Sequence, residues 1–344
     1  MVDHNAYKAG VIGAGAISQA LHMPGYKKDR RAQFVAFADP ATARHAEIIE
    51  AYPGARGYAS HDEMLAAESL DVVSIGSPNV FHAAQAIAAL NARCHVLCEK
   101  PIATTLKDAD RMIAAAKKAR RKLMIGFTHR MLRGPQRCKK LLAERAIGKP
   151  FMIRVRFAHG GPYPGWAKNS WFYKKDLAAG GAMLDMGIHA IDLCNWLIGP
   201  IASVSAKAAT LRKKIEVDDN ALLQLEFANG ALGYIEVGWT SKPGFSGFEI
   251  YGDNGSLICD YIKGLRLCQG KASAGKDSTD TWSLLDKAPT KGGWDIEIKH
   301  WLDIVEGKEK LTMNGAAGRA ALEVALAAYK SSDSGRRIDL ARGR

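Results

Sequence analysis

The feature that most constrains the fold is a short apolar strand that runs into closely spaced glycines and then into a helical pattern. It is the segment KAGVIGAGAIS at residues 8–18, where Gly13, Gly15 and Ser18 fit G-x-G-x-x-[G/A] with serine as a small third residue. The first glycine makes a tight turn, the second lets a pyrophosphate approach, and a small third residue lets helix and strand pack closely. The chain is predicted to begin as a doubly wound α/β domain.

A carboxylate ends the second predicted strand, QFVAFADP. Asp39 follows Gly15 by 24 residues, and Pro40 and Ala41 come next instead of a basic residue. A carboxylate at this place accepts hydrogen bonds from the adenosine ribose and repels a 2′-phosphate. NAD is therefore the predicted cofactor, and NADP is less favoured. The alternative is that Asp39 only caps the next helix.

Strands and helices alternate over residues 1–128. Helices are expected at 41–51, 61–68, 80–92 and 105–120, with strands in DVVSIGSP, HVLCEKP and KLMIGF. This alternation predicts a Rossmann fold with a parallel sheet, and ligands bind such sheets at the carboxyl ends of the strands. At those ends stand Ser77, Pro78, Asn79, His82, Glu99 and Lys100. A lysine there can polarise a substrate oxygen; the alternative is a surface lysine paired with Glu99.

Residues 129–344 are predicted to form a second domain of α+β class. MIRVRFAH, VSAKAATL and NALLQLEFANGALGYIEVGW alternate as strands, and Asn-Gly in ANGA predicts a hairpin. These patterns indicate an open, largely antiparallel sheet with a helix at 182–198 over one face. The other face is expected to be buried in a homodimer or homotetramer. The polar stretch 269–293 is predicted to be an exposed loop.

An apolar helix in this half carries three ionisable residues. GGAMLDMGIHAIDLCNWLIG spans 180–199, and the spacing of Asp185, His189 and Asp192 places them on one helix face. An imidazole titrates near neutrality and can take the proton of an alcohol. Asp185 can orient that imidazole or contact a substrate hydroxyl, and Asp192 can orient His189 or bond to backbone. The alternatives are a buried histidine–carboxylate pair or, less favoured, a metal held by all three.

These segments, taken in order, resemble the glucose–fructose oxidoreductase / inositol dehydrogenase (Gfo/Idh/MocA) family. The resemblance rests on VIGAGAIS, ADP, SPNVFH, CEKP, the GF..R of 126–130, GGAMLDMGIHAID and the C-terminal AAYKSSDSGRRIDL, and it covers essentially the whole chain. It implies a catalytic Lys100, Asp185 and His189. It also implies a cofactor site made of Gly13, Ala14, Gly15, Ala16, Ile17, Asp39, Ser77, Pro78, Asn79, His82, Glu99 and Lys100.

One segment, FAHGGPYPGWAKNSWFYKKD at 157–176, departs from that family's pattern. Its aromatic side chains suit the C–H faces of sugars. The expected substrate-binding residues are Arg130, His159, Tyr163, Trp171, Asp185 and His189. The prediction is an NAD-dependent dehydrogenase that oxidises a ring secondary alcohol of a sugar or cyclitol. The alternatives are a glycosidase that uses NAD transiently, a non-catalytic NAD-binding regulator, and a reductase of an imine or enone.

Charge and cysteine content limit the other classes. The net charge is +13, but the basic clusters lack interleaved aromatic residues and match no nucleic-acid module, so nucleic acid is not expected as a partner. No run of eighteen or more uncharged apolar residues exists, so no membrane is expected either. Cys94, His95 and Cys98 resemble half of a zinc site, yet CHVLC alternates like a strand and no second ligand pair follows. No metal is expected. Without a recognisable signal peptide, the protein is expected to be cytoplasmic.

Overall fold

The computed structural model describes residues 6–167, 169–270, 282–287 and 296–340, and its N-terminal part is a parallel sheet. The strands lie in the order β3-β2-β1-β4-β5-β6, and each neighbouring pair is parallel. This order reverses between β1 and β4, as in doubly wound folds. The predicted Rossmann fold is confirmed. The bounds are β1 Tyr7–Ile12, β2 Ala32–Ala38, β3 Arg56–Tyr58, β4 Val72–Ile75, β5 His95–Cys98 and β6 Leu123–Ile125.

Helices connect these strands where the sequence pattern predicts them. The helix after the glycine turn begins with a π-helical segment, Ser18–His22, and continues as α1, Met23–Lys28. Ser60 and Thr105 cap the following helices, because their hydroxyls accept hydrogen bonds from the N–H groups three residues later. The other bounds are α2 His45–Ala51, α3 His61–Ala67, α4 His82–Asn91, α5 Leu106–Ala119 and α6 Arg133–Ala143.

The second sheet is mixed but mostly antiparallel, as predicted. Its order is β14-β13-β12-β11-β7-β10-β9-β8-β15, and β10 and β7 form its parallel pair. The Asn-Gly hairpin is confirmed between β9 and β10, with Gly230 at φ +85°. The bounds are β7 Pro150–Ala158, β8 Ile201–Ala209, β9 Asn220–Phe227, β10 Leu232–Gly238, β11 Phe245–Gly252, β12 Gly255–Asp260, β13 Gly264–Gln269, β14 Trp282–Asp286 and β15 Ile338–Asp339.

The loop predicted over 269–293 is wrong in part. Residues 282–286 form β14, which pairs with β13 as an edge strand of the second sheet. Its side chains are mostly exposed, so it gives little apolar burial by which a sequence pattern could reveal it. Residues 271–281 and 288–293 of the predicted loop lie outside the described residues.

The apolar helical stretch lies in the core between the second sheet and the C-terminal helix. A short α7, Lys175–Ala178, precedes a π-helical segment, Met183–Gly187, and α8, Ile188–Leu197. Residues 175–197 have the length and hydropathy of a membrane span, but 83% of their apolar window is buried inside the protein. The stretch therefore serves as a core helix. A Cβ on Gly187 would lie 3.3 Å from the Met183 Cγ and at an ordinary contact distance of 3.7 Å from a Val237 methyl carbon, so the sheet does not itself require glycine there.

Two C-terminal helices join the two sheets. α9, Glu297–Val305, contacts α1, and α10, Gly315–Ser334, contacts β8 of the second sheet as well as α5 and β6 of the first. Residues 297–334 thus come from the predicted second domain but pack partly on the first. The boundary at 128/129 stays a prediction.

Candidate active site

A cavity of about 410 Å³ opens at the carboxyl ends of the first sheet's strands and reaches the start of α8. It brings together twelve of the predicted site residues, from both halves of the chain. They are Gly15, Ala16, Ile17, Ser77, Asn79, His82, Glu99, Lys100, His159, Trp171, Asp185 and His189. The predicted residues that do not line it are Gly13, Ala14, Asp39, Pro78, Arg130 and Tyr163.

The glycine turn is shaped to admit a dinucleotide. Gly13 has φ +80°, and a Cβ there would lie 2.5 Å from the Ser77 backbone nitrogen, so only glycine fits. At Gly15 the nearest atom to an added Cβ is the Gly76 carbonyl oxygen at 3.7 Å, which leaves the cavity side open. Ser18 donates a hydrogen bond to the Gly13 carbonyl oxygen at 2.6 Å and closes the turn. Gly13 and Ala14 do not line the cavity, but as part of the turn they set the position of the residues that do.

Asp39 lies directly behind this turn. Its carboxylate accepts hydrogen bonds from the Ala14 and Ala41 N–H groups, each at 2.9 Å, and from Arg44 at 3.1 Å. The bond from Ala41 lies within the turn after β2, and neither of the two following helices, Thr42–Arg44 and α2, has a side-chain cap, so the alternative capping role is not observed. Arg44 itself lines the cavity. Sequence reasoning looked for a basic residue only at positions 40 and 41 and so missed Arg44.

Two residues after β4 hold the cavity wall together. Both ring nitrogens of His82 face backbone carbonyl oxygens, that of Pro101 at 2.8 Å and that of Ser77 at 2.9 Å. Burial lowers the pKa of His82, and a neutral ring has one N–H, so it donates to one of these carbonyl oxygens while its other nitrogen faces the second. His82 lines the cavity as predicted, and its contacts with the two carbonyl oxygens fix the ring in the cavity wall. Asn79 donates to the Ala178 carbonyl oxygen at 2.8 Å and ties the cleft to α7.

Lys100 reaches across to the other half of the chain. Its ammonium donates to the Asp185 carboxylate at 2.5 Å and to the Asp185 carbonyl oxygen at 3.1 Å. The predicted alternative, a surface lysine paired with Glu99, is wrong. Asp185 does not hydrogen-bond to His189 among the described residues, so its predicted role in orienting that imidazole is also corrected: it holds the lysine.

His189 lies in a stack of aromatic rings at the cavity wall. Its imidazole stacks on His129 with ring centroids 4.4 Å apart and packs edge-on against Phe127 at 6.2 Å. Its Nδ1 is buried and has no hydrogen-bond partner in the described part of the chain. Burial, the neighbouring His129 and the charge of Lys100 hold the pKa of His189 well below its usual range. The imidazole is therefore unprotonated at neutral pH.

His129, beside Arg130 just after β6, is a further candidate for the substrate pocket from the sequence. It lines the cavity, and its Nδ1 lies 3.1 Å from the Tyr261 hydroxyl. Burial lowers its pKa to about 3. The stack therefore presents two neutral imidazoles. No spacing rule links residues 129, 189 and 261, so sequence patterns could not bring them together.

Asp192 and Arg130 form a buried ion pair beneath the cavity. The guanidinium donates to the two Asp192 oxygens at 2.7 and 2.5 Å, and it lies over the Trp196 ring at 5.5 Å from the centroid. Burial raises the pKa of Asp192 to about 6 although Arg130 opposes this. The predicted substrate contact by Arg130 and the predicted orienting of His189 by Asp192 are both wrong, since each group is occupied by the other.

Asp218 positions the start of the π-helical segment, and sequence reasoning missed it. Its two carboxylate oxygens accept hydrogen bonds from the N–H groups of Gly181 and Met183, each at 2.8 Å. The Tyr329 hydroxyl donates to it at 2.6 Å. A Cβ on Gly181 would lie 1.8 Å from the Asp218 carbonyl oxygen, so the pair of glycines before the helix serves this close approach.

Aromatic residues of the 157–176 segment form the outer wall. Trp171 stacks on Phe172 with centroids 3.9 Å apart, Trp166 meets Phe172 edge-on at 5.1 Å, and all three line the cavity. His159 lies deeper, and its Nδ1 accepts a hydrogen bond from the Gly161 N–H at 2.8 Å. Tyr163 instead packs on Tyr173 away from the cavity, which corrects its predicted substrate contact.

The class of protein follows from this arrangement and from comparison with known proteins. The model of the oxidoreductase family with an NAD-binding Rossmann fold matches residues 7–127, and the GFO/IDH/MocA C-terminal domain matches residues 136–258. The molecule is an NAD-binding oxidoreductase. The chain belongs to the Gfo/Idh/MocA family.

Relatives of known activity match over nearly the full length. The chain is 25% identical to the D-glucoside 3-dehydrogenase of Escherichia coli over 97% of both chains. It is 28% identical to the myo-inositol 2-dehydrogenase of Thermotoga maritima over 97% of this chain and 98% of that one. The WlbA dehydrogenase of Bordetella pertussis, solved with NADH and UDP-GlcNAcA, has a TM-score of 0.82 at 27% identity, covering 98% of this chain and 100% of that one.

Proposed function

We propose that the protein oxidises a ring secondary alcohol of a sugar or cyclitol to a ketone, with NAD as the acceptor. Bound NAD supplies the oxidant by accepting the carbinol hydrogen as a hydride. The residues that would hold it are the turn of Gly15, Ala16 and Ile17, with Asp39 behind the turn. The relatives that act on glucosides and inositols support this class of substrate.

His189 is the proposed general base. As the carbinol hydrogen leaves as hydride, the hydroxyl proton passes to the neutral imidazole, so that charge and atoms balance. The low pKa of His189 keeps the ring unprotonated at neutral pH. His129, stacked on it, excludes water from one ring face.

Lys100 is the proposed stabiliser of the developing alkoxide. Its ammonium donates to Asp185 and so is fixed in place before substrate arrives. A preorganised cation in a cavity with little water stabilises negative charge strongly. The observation that carries the proposal is that Lys100 and His189, from the two halves of the chain, line one cavity together with the glycine turn.

The substrate is proposed to bind with its ring against the outer aromatic wall. Trp166, Trp171 and Phe172 give flat apolar surfaces, while His159 and Asn169 line the same cavity and offer polar groups to hydroxyls.

Self-association through the free face of the second sheet is also proposed, because Leu222, Leu232 and Tyr234 on β9 and β10 are 59%, 49% and 43% exposed there.

The test is NADH formation from NAD⁺ over a panel of glucosides, anhydrosugars and inositols. We expect stoichiometric NADH and a keto-sugar product from at least one of them. Cleavage of a glycoside without net NADH would instead support the glycosidase alternative. Absence of turnover across the panel, with NAD still bound, would support the regulator.

A further inference from the structure

Three ionisable side chains form a buried cluster outside the proposed catalytic group. His22 ends the π-helical segment after the glycine turn, Glu99 follows β5, and Glu297 begins α9. His22 is fully buried and Glu297 is 1% exposed. One potential metal-binding atom from each residue lies within 4.8 Å of the other two. The cluster therefore joins three elements that are far apart in the sequence.

The polar atoms of this cluster lack ordinary partners. Both ring nitrogens of His22 and both carboxylate oxygens of Glu297 have no hydrogen bond in the described part of the chain. Glu99 is 8% exposed, and its Oε2 accepts from the Lys100 backbone N–H at 3.3 Å, while its Oε1 faces His22. Buried polar groups are nearly always satisfied, so this arrangement points to a partner beyond the described side chains.

The spacing of the atoms identifies the kind of partner. His22 Nε2 lies 3.4 Å from Glu99 Oε1 and 3.8 Å from Glu297 Oε2. Charge-assisted N–H···O contacts are shorter, about 2.7–2.9 Å. Ligands of a tetrahedral zinc ion, at metal distances of about 2.0–2.2 Å, lie roughly 3.4 Å from one another. The two separations exceed those of charge-assisted hydrogen bonds and are close to those between ligands of one coordinated ion.

We propose that His22, Glu99 and Glu297 bind one divalent transition-metal ion, with zinc as the ion that best suits this ligand set. One imidazole nitrogen and two carboxylates are ligands that zinc accepts, whereas magnesium and calcium prefer oxygen ligands alone. A neutral imidazole and two carboxylates carry −2, so a divalent ion makes the buried group neutral. The ion has a structural role: it fastens α9 to the glycine-turn helix and to the strand end before Lys100.

The first experiment measures metal in the full-length protein. The chain is purified without a metal-affinity tag, stripped with a chelator, given one equivalent of Zn²⁺ and dialysed, and its zinc content is determined. We expect about one zinc per chain and, with free zinc at about 100 times its Kd, a rise in Tm of about 5 °C. No retained zinc and an unchanged Tm would overturn the proposal and leave shared protons as the account of the cluster.

Variants separate this site from adventitious binding. Glu297→Gln keeps the shape but removes one anionic ligand, and it should lose the retained zinc. His300→Gln, a matched change on the same helix, should keep it. Equal zinc in Glu297→Gln and wild type would overturn the proposal, because the six cysteines or a surface histidine would then be the ligands. Should Glu297→Gln fail to fold, anomalous diffraction at the zinc edge on the wild type decides: a peak between the three side chains supports the site, and its absence there overturns it.

Discussion

The Lys100 ammonium donates a 2.5 Å hydrogen bond to the Asp185 carboxylate, from a strand end of the first sheet to the π-helical segment before α8. The two residues are 85 positions apart in the chain. This ion pair fixes the cation at the cavity where His189 also lies.

Lys100→Met should lower kcat by about 10²–10³-fold, because it removes a fixed donor to the developing alkoxide. The affinity for NAD, measured by the quenching of tryptophan fluorescence, should change little. The matched control is Lys207→Met on β8, far along the chain from this site, which should leave kcat unchanged. If kcat of Lys100→Met stays within ten-fold of wild type, Lys100 does not stabilise the alkoxide.

Asp192→Ala should destabilise the protein by about 3–5 kcal/mol, since it leaves the buried Arg130 guanidinium without its partner. The double variant Arg130→Met with Asp192→Leu, which removes both charges, should recover much of this loss. Urea unfolding followed by circular dichroism measures both. If the double variant is as unstable as the sum of the single variants, the two side chains do not act as a pair.

Stability should fall in mild acid because of His129. Burial lowers the pKa of its folded-state imidazole from 6.5 to about 3, so below about pH 6.5 the unfolded chain binds a proton that the folded chain does not. His129 alone then lowers the unfolding free energy by about 1.4 kcal/mol per pH unit as the pH falls from about 6 to 5. The lowered pKa values of the buried His82 and His189 act in the same direction. His129→Gln should show a shallower decrease, while His61→Gln should follow the wild type. Parallel profiles for His129→Gln and wild type would contradict this.

The exposed face of the second sheet should carry the self-association surface. Leu222→Glu and Tyr234→Glu place charges on β9 and β10 where apolar side chains are exposed, and each should reduce the mass measured by light scattering to that of the single chain. Gln224→Glu, also exposed on β9 but already polar, is the control. A mass unaffected by the two apolar-to-charged changes would exclude this face.

Local sequence patterns predicted the fold well. The site was predicted less completely, because many of its side-chain contacts join residues that are far apart in the sequence. The glycine turn, the alternation of strands and helices, the Asn-Gly hairpin and the amphipathic spacing of Asp185 and His189 each depend on neighbouring residues, so the sequence displays them. The partners of the site residues lie far away in the sequence, so no local pattern reveals them. Arg130 meets Asp192 across 62 residues, and Tyr329 meets Asp218 across 111.

The spacing rule also failed in an instructive way at Asp192. It placed Asp185, His189 and Asp192 on one helix face, but an ideal helix does not describe a stretch that begins with a π-helical segment and then continues as α8. Asp185 and His189 line the cavity, whereas Asp192 lies beneath it with Arg130.

The most direct test of the central claim is single-turnover NADH formation by His189→Ala on a substrate found in the panel, with His159→Ala measured beside it. We predict that His189→Ala binds NAD normally and forms NADH about 10²–10⁴-fold more slowly than wild type. His159→Ala should mainly need a higher substrate concentration to reach half of its maximal single-turnover rate. Near wild-type rates in His189→Ala, or a loss of rate confined to His159→Ala, would contradict the assignment of His189 as the base.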